Sequence, residues 1–252
     1  SPGGQIISSV TGSSSGDRVG SGGITVLSNG NFVISSPDWD NGGATDAGAV
    51  TWASGETGIA GTISAANSLV GTTAGDRIGW PRLAALPNGN YVVCSPYWDG
   101  EGAANVGAAT WVNGAIGATG TITPANSLVG TSTGDFVGSE CIAAVSNDHY
   151  VVLSTHWANG AALNAGAATW ADASKGPVGA VSPTNSLVGT TTNDLVGIGG
   201  VTVLSNGNYV IASDTWDNGG VTDVGATTWA DGGKGISGAV SPSNSLIGAT
   251  SG

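Results

Sequence analysis

Positive charge is almost missing from this chain. Five Lys and Arg face 17 Asp and Glu, a formal net charge of −12. Gripping phosphate takes clustered cations, so nucleic-acid binding is disfavoured, and with it adhesion to anionic lipid. Charge of either sign is scarce, at 9% of residues against roughly 25% in ordinary soluble domains. The net acidity then reads as a solubility device. Long apolar runs are also absent, none approaching the roughly 18 residues of a membrane-spanning helix. No segment keeps a 3.6-residue apolar period, and Gly interrupts every stretch long enough to be a helix. The fold class is therefore all-β. Met is missing altogether and the sequence opens at Ser1, which reads as a processed product or a piece cut from a longer chain.

Catalytic residue types are thin. The two histidines, His149 and His156, have no Ser or Cys motif beside them, and no Gly-rich loop leads into a helix. Cys94 and Cys141 lack a CxxC spacing or a His pair, so no metal site, cofactor or enzyme activity is expected. They read as buried free thiols, with a disulfide between neighbouring units as the alternative.

What is present is a repeat. Asn67-Ser68-Leu69-Val70-Gly71 returns at Asn126, Asn185 and Asn244, and Asp17, Asp76, Asp135 and Asp194 keep the same 59-residue register. An internal period near 50 residues points to a stacked or radial array. The units are 17–75, 76–134, 135–193 and 194–252, with 1–16 as an extra fourth-strand segment in a single domain, 1–252. Within a unit, two apolar runs flank Asn-Gly (Asn29-Gly30, Asn88-Gly89, Asn206-Gly207), the signal of a hairpin with a type I′ turn. The third unit has Asn147-Asp148-His149 there. A third strand of small residues ends in Trp52, Trp111, Trp170 or Trp229, and Leu-Val marks a fourth. Four short strands per unit of this length predict a β-propeller of four-stranded antiparallel blades, most simply four of them.

The run Gly16-Asp17-Arg18-Val19-Gly20, the Asn-Gly hairpin, Val33-Ile34-Ser35-Ser36-Pro37 and Ala47-Gly48-Ala49-Val50 resembles an FG-GAP blade, the repeat of integrin α-chain propellers. It is also similar to repeat arrays of large bacterial haemagglutinin-like surface proteins. That resemblance implies an extracellular or cell-surface location, bacterial in origin, and partners that are glycans or proteins on a cell surface. The calcium loop of many such blades has no counterpart, because Ser28-Asn29-Gly30-Asn31 and its equivalents lack the carboxylates a hard cation requires.

Residues 237–252 align with 1–16, so one fourth strand is surplus to a four-bladed ring. Either Ile6-Ile7-Ser8-Ser9-Val10 or Leu246-Ile247 would clasp the ring shut. A closed monomer is favoured; two chains completing a larger ring is the alternative, since an open edge strand invites pairing.

Recurrent positions read as scaffold. The four Asp should satisfy backbone N–H groups in turns, and the strand-end Trp should fill gaps between blades. Trp39, Trp98, Trp157 and Trp216 stand beside Asp or Asn, the pairing sugar sites use, and are ligand candidates. Asp38, Asp40 and Asp46 invite a cation, but the third unit lacks all three. Units differ most before the first strand, which makes Trp80, Arg82 and Glu140 candidates for one specific site. The function expected is a non-enzymatic adhesion or interaction scaffold, with a carbohydrate-binding lectin as the alternative.

Overall fold

A computed structural model describes residues 9–146 and 148–250. Ile6, Ile7 and Ser8 of the N-terminal clasp and Asn147 of the third hairpin lie outside them. Strand β1 (Ser9–Thr11) precedes four sets of five. The first set is β2 (Gly23–Val26), β3 (Phe32–Ser36), β4 (Ala49–Ala53), β5 (Ala60–Thr62) and β6 (Leu69–Val70). The second is β7 (Leu83–Ala85), β8 (Tyr91–Ser95), β9 (Ala108–Val112), β10 (Gly120–Thr121) and β11 (Leu128–Val129). The third is β12 (Cys141–Ala144), β13 (His149–Ser154), β14 (Ala167–Asp172), β15 (Gly179–Ala180) and β16 (Leu187–Val188). The fourth is β17 (Gly200–Val203), β18 (Tyr209–Ser213), β19 (Ala226–Ala230), β20 (Gly238–Ala239) and β21 (Ser245–Ile247).

The hairpins form where Asn-Gly stands, but not with the expected turn. Gly30 N–H donates to Leu27 C=O at 3.0 Å and Leu27 N–H to Asn31 C=O at 2.8 Å. Of Asn29 and Gly30, only Gly30 has positive φ, at 88°. This is a type I turn closed by a left-handed glycine, so the Asn-Gly pair sits one position later than a type I′ turn would place it. Pro87 suits the first central position of the same turn in the second unit, where Gly89 N–H donates to Leu86 C=O.

Each unit has five strands rather than four. The additional ones (β5, β10, β15, β20) are two or three residues of Gly, Ala and Thr, too small to leave an apolar signature. Three of them pair in parallel with the last strand of the preceding unit, as in Gly120 opposite Leu69 and Gly179 opposite Leu128. A sheet therefore runs β10-β6-β4-β3-β2: four antiparallel strands plus one lent by the next unit. The fourth sheet, β17-β18-β19-β21, has no lent strand, and β5 pairs with β1 alone.

The core sits between units. Leu27, Val33 and Leu69 pack with Ile78 and Tyr91; Val92 and Leu128 with Tyr150; Leu153 and Leu187 with Tyr209. Neighbours approach closely because Gly48, Gly107 and Gly166 have positive φ and no Cβ, which would strike the backbone of Ile78, Val137 and Val196. Among the described residues no strand pairing joins the fourth unit to the first, and Leu246-Ile247 completes its own sheet.

Candidate functional site

The recurrent Asp are structural, as their register implies. Thr72 and Thr73 N–H donate to Asp76 Oδ2, both at 2.8 Å, and Asp99 N–H to Oδ1 at 3.0 Å. Asp135 takes Thr131, Ser132 and Ala158; Asp194 takes Thr190, Thr191 and Asp217; Asp17 takes Ser13, Ser14 and Asp40. The donors are backbone groups, which is why Ala158 serves as well as Asp99. All four carboxylates are buried. Burial raises the Asp76 carboxyl above its ordinary 3.8, against the pull of its three N–H partners. Asn67 accepts from Ser64 N–H and Ser68 Oγ, and Ser68 Oγ meets Thr51 Oγ1 at 2.7 Å. The same hydroxyl pair recurs in every unit.

The strand-end Trp stitch units together. Trp52 Nε1–H donates to Gly114 C=O at 2.9 Å, Trp111 to Ala173 at 2.8 Å and Trp170 to Gly232 at 2.9 Å. Trp229, the equivalent in the fourth unit, is 52% exposed.

Trp39, Trp98, Trp157 and Trp216 do not form a ligand platform. Their exposure is 3%, 7%, 5% and 4%, and a ring so enclosed presents no face to a sugar. The adjacent carboxylates are occupied too. Asp38 lies 3.8 Å from Arg18, Asp46 lies 3.6 Å from Arg77, and Asp40 accepts the Asp46 N–H. Among the described residues no three His, Cys, Asp or Glu side chains are grouped as a cation requires.

Trp80 is the one Trp outside the two recurrent sets, and it marks a real departure. With Pro81, Pro96 and Tyr97 of the second unit, and Phe136, Ser139 and His156 of the third, it lines a hollow of about 290 Å³. Tyr97 meets Phe136 edge to face, with centroids 5.9 Å apart, and Phe136 meets His156 likewise at 6.0 Å. Positions equivalent to Phe136 hold Arg18, Arg77 and Leu195; those equivalent to Tyr97 hold Asp38, His156 and Thr215. The aromatic lining thus belongs to this junction alone. Arg82 and Glu140 are exposed, close by in sequence, and do not line it. Ser139 Oγ lies 3.4 Å from Thr155 Oγ1, which is buried behind the lining and lies 3.2 Å from His156 Nδ1, so one hydroxyl and an imidazole edge the apolar walls.

Next to the hollow the two units are covalently joined. Cys94 and Cys141 form a disulfide, with Cα atoms 5.4 Å apart, and neither is a free thiol. Cys94 lies two residues before Pro96, and Cys141 two after Ser139. Sequence reading favoured free thiols over this bond and missed the roles of Tyr97 and Phe136. Aligning the units and asking where aromatic residues replace charged ones finds Tyr97 and Phe136.

His149 and His156 are not brought together. They bracket β13 at opposite ends, about 20 Å apart at strand rise, and His149 stacks on Trp170 at 4.9 Å.

A family model described as "Repeat of unknown function (DUF5650)" matches the chain four times, over 26–80, 85–139, 144–198 and 203–252. The chain belongs to that repeat family. No curated protein matches it.

Proposed function

We propose that this chain is a non-enzymatic interaction module of a secreted or cell-surface protein, a rigid array that carries one adhesive hollow. The observation that carries this reading is the aromatic hollow at Trp80, Tyr97, Phe136 and His156. It is built once, where the repeats diverge, next to the disulfide that joins the second and third units. A disulfide persists in oxidising compartments, which supports a location outside the cytoplasm. The succession of sheets and the hairpin-plus-Leu-Val pattern support an FG-GAP-like, propeller-type arrangement of blades.

The test is retention of cell-surface extracts on the immobilised chain, compared with Trp80→Ala and with a Tyr97→Ala plus Phe136→Ala variant. Loss of specific retention in both, with an unchanged melting transition, supports the reading. Retention unaffected by either variant would remove the hollow from it.

A second reading is favoured by the hollow's composition. Aromatic walls edged by Ser139 and His156 suit the apolar face and hydroxyls of a pyranose. A glycan array separates the two readings: binding lost with Trp80→Ala assigns carbohydrate, while silence across the array alongside retained protein partners assigns a protein ligand.

A further inference from the structure

We infer that a second site, for a small ammonium compound with an apolar body, lies between the second and third units. It shares no residue with the aromatic hollow. Its own hollow measures about 570 Å³, within the roughly 300–1,000 Å³ of small-molecule sites. Trp98, Val106, Ile122, Val129 and Ala180 give it apolar walls, and Glu101 adds a carboxylate. One local departure from the repeat makes it. Asn41-Gly42 of the first unit and Asn159-Gly160 of the third are replaced by Gly100-Glu101 in the second. The Asn41 amide donates to Gly71 C=O, and the Asn159 amide to Gly189 C=O, both at 2.8 Å. Gly100 has no amide to give. The equivalent carbonyl, on buried Gly130, accepts no hydrogen bond among the described residues and lines the hollow. A Cβ at Gly100 would stand 3.7 Å from Trp98 Cζ3 and 3.8 Å from Cη2, so the indole's benzo edge faces that space. It would also stand 2.9 Å from Val106 Cγ2, where the first and third units carry Ala47 and Ala165.

The turn itself is rebuilt to admit the carboxylate. Gly42 and Gly160 take positive φ, 63° and 62°, at the first central position, as a type II′ turn requires. In the second unit the positive φ moves to Gly102, at 79°, the second central position of a type II turn. Position 101 is thereby open to a residue with a side chain. Neither ion pair among the described residues uses Glu101, and a net charge of −12 draws cations rather than anions. An ammonium group has three donors and no acceptor. It therefore suits the Glu101 carboxylate and the open Gly130 carbonyl, both on the walls of one hollow. The apolar body would lie against Ile122, Val129 and the Trp98 edge. A carboxylate ligand would set acceptors against acceptors.

Calorimetric titration of the full chain at neutral pH with phenethylammonium, phenethyl alcohol and phenylacetate tests this. The ammonium should bind about tenfold or more tightly than either of the other two. Glu101→Gln should weaken ammonium binding about fivefold to tenfold and leave the alcohol unchanged. Gly100→Asn with Glu101→Gly and Val106→Ala gives the second unit the turn of the first. That variant should keep its melting transition and lose ammonium binding. Trp80→Ala, which alters only the aromatic hollow, should leave ammonium binding unchanged. No binding of the ammonium up to about 10 mM overturns the proposal. So does equal affinity for phenylacetate, indifference to Glu101→Gln, binding kept by the triple variant, or binding lost with Trp80→Ala.

Discussion

Trp52 donates its indole N–H to the carbonyl of Gly114, 2.9 Å away and in the next unit. The bond joins a side chain at the end of one sheet to the backbone turn of its neighbour. It recurs at Trp111 and Trp170, whereas Trp229 stands 52% exposed. Stability in such an array is carried by nearest-neighbour interfaces, so the same residue type has different weight along the chain.

Trp111→Phe keeps most of the ring and removes the donor, leaving Ala173 C=O without this partner. The expected cost is about 1–2 kcal/mol in denaturant unfolding. Trp229→Phe should change stability by less than about 0.5 kcal/mol. Equal effects at the two positions would mean that the stitch contributes nothing.

Asp76→Asn places an amide NH₂ where Oδ2 now accepts from Thr72 and Thr73. A loss of about 1–3 kcal/mol follows from donors left facing a donor. The substitution should also change the pH profile. The folded-state carboxyl titrates above its ordinary 3.8 because of burial, so the native state holds this proton more tightly than the unfolded chain. Its stabilising contribution is complete below the unfolded value and is lost as pH rises through the folded one. Melting temperatures measured across about pH 3 to 6 should show that slope in the parent and not in the variant. A parent profile that rises through the same interval at this site would refute the assignment.

Replacing Cys94 and Cys141 together by Ala removes a crosslink between residues 47 apart. Chain-entropy reasoning puts the loss at about 4 kcal/mol. Because the bond spans the second and third units, its removal should also reduce coupling between the two halves of the array. Calorimetry should then show a broader or split transition in place of a single one.

Tyr150→Phe should be neutral or mildly stabilising. The Tyr150 hydroxyl is fully buried with no hydrogen-bond partner, and burial pushes its phenol pKa up. The first unit already carries Phe32 at the equivalent position. A clear drop in melting temperature would show that the hydroxyl has a partner after all.

Much of this was legible in the sequence, and for a common reason. The 59-residue register exposed Asp76 and its equivalents as scaffold because a role repeated four times cannot be a single active site. The strand-end Trp were readable as junction residues on the same ground. Trp39, Trp98, Trp157 and Trp216 misled because Trp beside Asp has one composition and two environments. Only packing distinguishes an indole at 3% exposure from one open to a ligand. The strands β5, β10, β15 and β20 were invisible because Gly, Ala and Thr give no alternating pattern, and the partners of β10, β15 and β20 belong to a neighbouring unit.

The sequence by itself determined the all-β class, the four-fold period, the hairpins and the recurrent polar scaffold, since these rest on local turn chemistry and repetition. Tertiary structure decided what spans two units. It joined Cys94 to Cys141, gathered Trp80, Tyr97, Phe136 and His156 around one hollow, and left Leu246 bare where its three counterparts are covered. Those contacts connect residues tens of positions apart, and the backbone approach that makes them lies in no local pattern.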